Sequence, residues 1–407
     1  MSKIKLLVII QKDPLGDGIG GMHTFIKGLV KYLPDDFEVE LVGVTTDKIS
    51  RPVGKWSMIE FNQKKINFFP VLYTQNQNKR DKIPLSLRFE LSLFRYKSKI
   101  PLKDRILEFH RPEPALLFIR ERNKKVMHIH GNMEDLYNPY SEKKWSSVPW
   151  LYFKLEDIVM PKMDKIFVVS EKGMNFYKKK YGSISDRFLF MPSWVDKNIF
   201  YPLQSGLERN VEIKKLLNDF PISSNDKILL FAGRLEGQKN PLLLIDSFYN
   251  LYKRNKNVKL LVVGNGSLKE KVIERINKYG LEENVKLLDI FPQDKLAQLM
   301  RVCDVFVLTS AYEGMSRVVI EALASGIPVV STDVGEASKV VKNGSSGILV
   351  SKYDANEIAE AVMQVLENKK DFSSDKCIDA VKYYTMDIIL GNIYKIYRDL
   401  AASYSQS

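Results

Sequence analysis

Cysteine is nearly absent. The 407-residue chain has 2, Cys303 and Cys377, too far apart in sequence to form a disulfide framework or a metal-ligand pair. Long apolar runs are missing too: nothing approaches the roughly 18–20 residues that cross a bilayer. The apolar N-terminal run Ile4–Ile10 is short, carries no cleavage site and leads into Lys12-Asp13-Pro14. It reads as a first strand and not as a signal peptide, and an intracellular protein is the expectation. A P-loop, a Gly-x-Ser-x-Gly elbow and an HExxH motif are also absent, which removes the common signatures of nucleotide hydrolysis, serine-type acyl transfer and zinc peptidase chemistry.

What the chain has in excess is positive charge. Its formal net charge is +13, with 45% hydrophobic and 27% charged residues, the balance of a globular protein with a basic surface. No zinc-finger, RNP or basic-zipper pattern accompanies the charge, so nucleic acid is not the expected partner. Lys and Arg are dense from Lys79 to Lys125, interleaved with Leu85, Leu87, Phe89, Leu91, Leu93 and Phe94. Such a stretch suits an anionic membrane face, and equally a solvated helical surface.

Strands and helices alternate over most of the length, which indicates α/β architecture with doubly wound parallel sheets. Strands are expected near Ile4–Ile10, Val39–Val44, Lys125–Ile129, Lys165–Val169 and Phe188–Met191, with helices at Met22–Tyr32 and Lys172–Lys180. Residues 56–118 read as less regular. Pro192, Pro202 and the polar segment Gln204–Asn225, with a short helix near Asn210–Leu217, mark a linker. A second series follows at Lys227–Ala232, Lys259–Val263, Val285–Leu288, Val305–Leu308, Val329–Ser331 and Ile348–Val350, closed by helices Ala355–Glu367 and Ile388–Ala401. The expected domains are 1–200 and 201–387, with helix 388–407 packing back on the first.

The most telling constellation is Glu313 and Glu321, separated by seven residues between the strand Val305–Leu308 and a helix read at Val318–Ala324. Gly314 supplies a turn and Ser316 an N-cap. Glu313 then lies at the carboxyl edge of the sheet, where open α/β sheets bind ligands. Backbone N–H groups near Met315 and Ser316 suit a phosphate, and the carboxylates can accept from sugar and ribose hydroxyls. Arg234 and Lys239, in Gly233-Arg-Leu-Glu-Gly-Gln-Lys239, bracket a strand-to-helix loop as a diphosphate clamp would, or as ordinary surface cations. Gly264-Asn265-Gly266 directly follows Leu261-Val-Val263, where bare backbone admits a flat base or merely makes a tight turn. Gly16-Asp-Gly18-Ile-Gly20-Gly21 superficially matches a dinucleotide fingerprint, but Pro14 and several polar residues separate it from the strand. Gly20 and Gly21 therefore read as backbone open to a phosphate or sugar. His128 and His130 alternate onto one face of a strand; His130, at the carboxyl edge, reads either as a ligand contact or as a satisfied structural histidine, and His128 lies further back in the core. No third metal ligand stands near them in sequence, and no Asp-x-Asp metal motif is present.

Taken in order, the Gly20-Gly21 loop, His128-x-His130, Val168-Val-Ser-Glu171, Met191-Pro-Ser-Trp-Val-Asp196, Gly233-Arg234…Lys239, Val263-Gly-Asn-Gly266, Asp304-Val-Phe-Val-Leu-Thr-Ser310 and Glu313-x7-Glu321 resemble the retaining GT-B glycosyltransferases of family 4. The resemblance implies two Rossmann-like domains facing across a cleft, acceptor on the N-terminal one and nucleotide-sugar on the C-terminal one. It implies that Arg234 and Lys239 clamp the diphosphate, Glu321 accepts from ribose, and Glu313 with the Met315 and Ser316 backbone lies at the donor sugar. His130 would contact that sugar from the opposite domain, and Gly21 would border the phosphates. Two departures stand out: Ser193-Trp194 replaces the usual Asn-Gly, where a bulky Trp would narrow acceptor access, and Asp289 takes a place often held by Gly.

The expectation is thus a cytoplasmic, peripheral-membrane hexosyltransferase, metal-independent and without a cofactor. It would use a UDP-sugar and a lipid-linked or polysaccharide acceptor in surface-glycan assembly. The alternatives are an epimerase or phosphorylase-like enzyme of the same fold, or a non-catalytic nucleotide-sugar-binding protein.

Overall fold

The computed structural model describes residues 3–16, 21–77, 83–131, 149–203, 206–217 and 220–403. Its chain contacts divide it into two units, one formed by the N-terminal part to Met191 together with Asp387 onward, the other by Pro192–Met386. The change of unit falls at Pro192 because the segment after it is sewn to the second unit. Val195 bridges Thr385, taking a hydrogen bond from Met386 N–H and giving one to the Tyr384 carbonyl, each 2.9 Å.

The first unit is built on an 8-stranded sheet in the order β3-β4-β2-β1-β5-β6-β7-β8. The strands are β1 (Ile4–Ile9), β2 (Phe37–Thr45), β3 (Ser57–Phe61), β4 (Lys64–Tyr73), β5 (Arg105–Phe109), β6 (Lys125–Ile129), β7 (Lys165–Val168) and β8 (Phe188–Phe190). All pairs are parallel except β3 with β4. Central strands covered on both faces read as continuous apolar runs, and Leu7, Ile9, Val42, Val44, Leu107, Phe109, Met127, Ile166 and Val168 form one core.

The stretch expected to be irregular, 56–118, in fact supplies strands β3, β4 and β5. Its signals are weak for local reasons. The β3–β4 turn uses Asn62 and Gln63, both left-handed (φ 49° and 64°), where Asn-Gly would announce a hairpin. Strand β4 contains Pro70, which a strand tolerates at an irregularity; the β2–β4 register slips just there, after Gly43. Within the same stretch, helix Leu85–Tyr96 buries Phe89 and Leu93 while Leu87, Leu91 and Phe94 stay 52%, 64% and 70% exposed. Positions 87, 91 and 94 share one helical face.

The second unit has a 6-stranded, wholly parallel sheet in the order β11-β10-β9-β12-β13-β14. Here β9 is Lys227–Ala232, β10 Val258–Val263, β11 Val285–Leu288, β12 Val305–Leu308, β13 Val329–Thr332 and β14 Gly347–Val350. Its first strand, β9, sits between β10 and β12, so the loops after β9 and β12 leave toward opposite faces of the sheet. The polar segment read as linker is partly structural. Helix Gly206–Leu217 is tied to this unit by Arg209, which donates to Val302 O at 2.9 Å and pairs with Asp304 at 2.6 Å.

The last helix, Met386–Ala402, completes the first unit. Tyr394 packs on Phe37 and donates its hydroxyl to the Leu29 carbonyl, and Arg398 pairs with Asp36 at 2.7 Å. Replacing Tyr394 by Phe keeps the ring contact and removes the buried donor. We expect Tyr394→Phe to lower the stability of the first unit by about 1–2 kcal/mol in denaturant titration; an unchanged midpoint would show the helix to be held by its apolar face alone.

Candidate functional site

At the switch point of the second unit, β9 and β12 are joined through only Val305 with Leu229 and Phe306 with Leu230, and then part. Ligands of doubly wound sheets bind in the crevice that this opens. The loop after β9 carries Arg234 and Lys239, and the loop after β12 carries Glu313, so the topology brings together residues 74 apart in sequence.

Lys239 lies in a short turn, Gly237–Lys239, that ends in left-handed Asn240 before Pro241 opens helix Pro241–Arg254. Its stem packs over Gly233, where an added Cβ would sit 3.4 Å from it. Its Nζ reaches Glu313 Oε1 at 2.5 Å, and the Ser310 hydroxyl donates to the same oxygen at 2.8 Å. Both ionic side chains are nearly withdrawn from water, at 13% and 10% exposure. Glu313 is therefore a neutralised, oriented carboxylate. Gln238, unmarked in the sequence reading, holds the loops together: its carbonyl accepts from Ala311 N–H at 2.8 Å, its amide donates to Tyr312 O at 3.2 Å, and its Oε1 accepts from Arg234 Nη2 at 2.7 Å.

Gly264 and Gly266 are required by neighbouring backbone. A Cβ at Gly264 (φ +153°) would lie 1.9 Å from Gly233 O, and one at Gly266 would lie 2.4 Å from Leu235 O. The loops after β9 and β10 interlock there: Leu235 N–H donates to Asn265 O, Leu268 N–H donates to Leu235 O, and the Glu236 carboxylate accepts from the Ser267 hydroxyl and from Ser267 N–H at 3.0 Å. A packing reason of this kind is invisible in a Gly-x-Gly spacing. Gly335, left-handed at φ +57°, similarly admits the Glu313 and Gly314 carbonyls, and Glu336 N–H caps Gly314 O at 2.9 Å.

Helix Arg317–Ala324 begins one residue before the position read from sequence. Ser316 occupies its N-cap, yet its side chain caps nothing; Oγ is buried without a hydrogen-bond partner. Met315 is held from outside, its carbonyl accepting from Ser193 Oγ at 3.0 Å. Trp194 does not narrow an opening: it is 1% exposed, packed under the Arg317 guanidinium 5.5 Å from the ring centroid. Asp289 stays exposed, 3.6 Å from Lys269.

Glu321 is buried, 3% exposed, with Gln293 Nε2 at 3.4 Å. Burial raises its carboxyl from 4.5 to about 7, opposed by the nearby Arg317 charge and the Gln293 hydrogen bond. Burial pushes the Arg317 guanidinium the other way, downward.

In the first unit, His130 stands at the carboxyl edge after β6, partly buried, and His128 is wholly buried behind it. Two residues overlooked in the sequence, Glu108 and His110 at the end of β5, stand beside them. His110 Nδ1 lies 2.7 Å from His130 Nε2, and His110 Nε2 lies 3.0 Å from Glu108 Oε1. Gly21 is the first residue of helix Gly21–Lys31; Gly20 lies outside the described residues.

The raised Glu321 carboxyl has a stability consequence. A group whose folded pKa is raised stabilises fully below its unfolded pKa and loses that contribution as pH climbs through the folded value. Glu321→Gln carries no such titration. We expect the stability difference between variant and wild type to move in the variant's favour by roughly 3 kcal/mol between about pH 4 and about pH 8, read by chemical unfolding at each pH. Parallel pH profiles would place the Glu321 carboxyl at an ordinary pKa.

Comparison with known proteins agrees with this architecture. The family model described as glycosyl transferases group 1 matches residues 212–382. An uncharacterized glycosyltransferase of Methanocaldococcus jannaschii is 30% identical over 181 residues, covering 43% of this chain and 46% of that protein. A D-inositol 3-phosphate glycosyltransferase of Corynebacterium urealyticum is 28% identical over 220 residues, covering 52% of this chain and 51% of its own. The chain thus spans about half the length of these curated relatives. A longer match, 26% identical over 367 residues and covering 87% and 88%, is to an N-acetylgalactosamine-N,N'-diacetylbacillosaminyl-diphospho-undecaprenol 4-alpha-N-acetylgalactosaminyltransferase of Campylobacter jejuni. Among solved structures, sucrose-phosphate synthase of Thermosynechococcus elongatus superposes with a TM-score of 0.79 at 18% identity, covering 98% of this chain and 100% of that one. Anabaena HepE, solved with UDP and glucose, gives 0.72 at 17% identity, covering 97% and 99%. With two parallel-sheet Rossmann-like units and these neighbours, the chain has the GT-B fold, and residues 212–382 of its second unit match the glycosyl transferases group 1 family.

Proposed function

We propose that this chain is a retaining glycosyltransferase of the family 4 type, which moves a hexose from a nucleotide-sugar, specifically a UDP-sugar, to a lipid-linked or polysaccharide acceptor in surface-glycan assembly. The observation that carries the proposal is the Lys239–Glu313 pair beside Arg234 at the β9/β12 switch point. A diphosphate arriving there offers Lys239 a second anion, while Ser310 still holds Glu313. Two fixed cations and the N-terminus of helix Arg317–Ala324, with the Gly314, Met315 and Ser316 backbone, then face the charge that grows on the leaving diphosphate. No proton need be taken by the protein if the acceptor hydroxyl passes its own to the departing phosphate oxygen.

In this reading Glu313 positions and polarises rather than attacks, because its charge is already balanced by Lys239. Glu321 accepts from ribose, the Gly264-Asn265-Gly266 turn borders the base, His130 touches a sugar hydroxyl, and Gly20 and Gly21 border the phosphates. Retention and metal independence follow as proposals from the same arrangement. The name of the Campylobacter relative, which specifies a diphospho-undecaprenol acceptor, and the UDP in the Anabaena structure support the choice of acceptor and donor class.

Among the described residues no helix is long and apolar enough to cross a membrane. We place the protein in the cytoplasm, peripheral on the inner face of the plasma membrane, where a lipid-linked acceptor is met. The exposed row Leu87, Leu91 and Phe94, in a segment rich in Lys and Arg, supports this.

The test is calorimetric titration with UDP, GDP, ADP and dTDP, followed by turnover assays with the matching sugar nucleotides and polyprenyl-diphosphate acceptors. UDP is expected to bind selectively, and Arg234→Ala to cut turnover by about 100-fold while the protein stays folded. Normal turnover in that variant would remove Arg234 from the reaction, and no binding of any nucleotide would remove the donor site.

For the membrane clause, sedimentation with anionic vesicles at low and moderate salt should retain the wild type and lose Leu87→Ser/Leu91→Ser/Phe94→Ser. Equal binding by both would place the contact elsewhere, and wild-type protein that ignores the vesicles would end the clause.

A further inference from the structure

Glu108 is a fully buried acid of the first unit, and among the described residues no Lys or Arg pairs with it. Glu108 is 0% exposed, and among the described residues its ion-pair partners are histidines, His110 at 3.0 Å and His128 at 3.4 Å. Burying an ionised group this way is costly unless its lone pairs are satisfied by well-placed donors. Glu108 has such donors. Tyr397, from the last helix, gives its hydroxyl to Oε2 at 2.6 Å, and His110 faces Oε1. Burial and the Glu108 charge hold the Tyr397 phenol well above its ordinary pKa, so it remains an O–H donor.

The chain of contacts continues outward. His110 Nδ1 meets His130 Nε2 at 2.7 Å, the rings nearly parallel at 14° with centroids 5.0 Å apart. Phe25 covers the edges of His110, His128 and His130, with centroids 4.7–5.4 Å away, and Phe167 stacks on His128 at 4.8 Å. Apolar rings on both sides keep water from competing with the hydrogen bonds.

With Glu108 ionised and both imidazoles neutral, donors and acceptors along this chain fit together in one way. Glu108 as the carboxylate can only accept, so His110 carries its proton on Nε2 and presents a bare Nδ1 to His130. His130 Nε2 must then hold a proton to donate, which leaves Nδ1 as its acceptor nitrogen. His128 fits the same scheme. Burial depresses its pKa well below the ordinary value and keeps it neutral. Since Tyr397 donates to Glu108, its oxygen receives the His128 Nε2 proton at 3.0 Å, and the His128 Nδ1 left without a partner is the nitrogen that has no proton to place.

We propose that Glu108, His110 and Tyr397 form a buried hydrogen-bonded array that orients His130 and fixes its proton on Nε2, making Nδ1 the nitrogen that accepts from a hydroxyl of the bound sugar. Glu108 and His110 act through His130 and are positioning residues. The last helix takes part through Tyr397, which occupies the second oxygen of Glu108 and leaves the first for His110. The role at the sugar rests on the transferase reading above; the tautomer does not.

The experiment is nitrogen-15 NMR of imidazole-labelled full-length protein. The chain has only 4 histidines, so each can be assigned by single substitution. Wild-type His130 and His110 should both show protonated Nε2 and bare Nδ1. In Glu108→Gln the amide offers one acceptor oxygen to two donors, and the His130 nitrogens should move toward a tautomer average; Tyr397→Phe should leave the His130 tautomer in place and sharpen or weaken only the His110 signal. In transfer assays Glu108→Gln should lower kcat by roughly tenfold or more with donor KM little changed. A wild-type His130 protonated on Nδ1 overturns the array, and that reading needs no variant to fold. Unchanged His130 nitrogens in folded Glu108→Gln overturn it equally. An inactive wild type with the expected tautomers would overturn the transferase reading alone.

Discussion

The second unit depends on how little β9 and β12 share. Two residue pairs hold them side by side before the strands part, and Arg234, Lys239 and Glu313 enter from the two loops that leave at that divergence. A parallel sheet places all its strand ends on one edge, and the reversal of winding direction beside β9 is what keeps that edge open. Had the chain continued outward in one direction, a crossover would cover the space. Arg234, Lys239 and Glu313 are thus brought together by topology first and by side-chain chemistry second.

The loops around the crevice are held by backbone contacts so close that side chains are excluded. Carbonyls of Gly233, Leu235, Glu313 and Gly314 occupy the space where Gly264, Gly266 and Gly335 lack a Cβ. This interlocking keeps the cations and carboxylates at fixed separations before any ligand arrives, and preorganisation of that kind is the larger part of electrostatic stabilisation in a transition state. Lys239 and Glu313 each spend part of their charge on the other; neither is a bare ion waiting in a dry pocket.

The two units solve the problem of buried charge differently. Around Glu313 a carboxylate is paired with a cation and a hydroxyl. Around Glu108 the His110 imidazole and the Tyr397 phenol lie within hydrogen-bond distance, with Phe25 packed against the imidazole. Glu321 is a third case: buried with weaker support, its carboxyl is pushed to about 7 and sits near the boundary between the two charge states.

Much of this was legible in the amino-acid order. Buried parallel strands are continuous apolar runs, so all six strands of the second sheet and five of the first stood out, most within a residue of their observed ends. The placement of Glu313, Arg234 and Lys239 beside the sheet's carboxyl edge was legible because strand-to-loop transitions put residues there. Strands β3 to β5 were not, since a left-handed Asn62-Gln63 turn and a mid-strand Pro70 carry no standard signal. Gln238, Glu108, His110 and Tyr397 were missed for a different reason. A Gln on a polar loop and a Tyr on an amphipathic helix look ordinary until the partner is seen, and Tyr397 is 289 residues from Glu108. Trp194 was misread because burial of a large ring is a property of its surroundings. By itself the sequence determined most element types, their order and the sheet edge that carries Arg234, Lys239 and Glu313, because these follow from local periodicity and chain direction. Only the tertiary structure decided which side chains meet, which carboxylates are neutralised and why particular positions must be glycine, because those depend on contacts between segments that the linear order holds far apart.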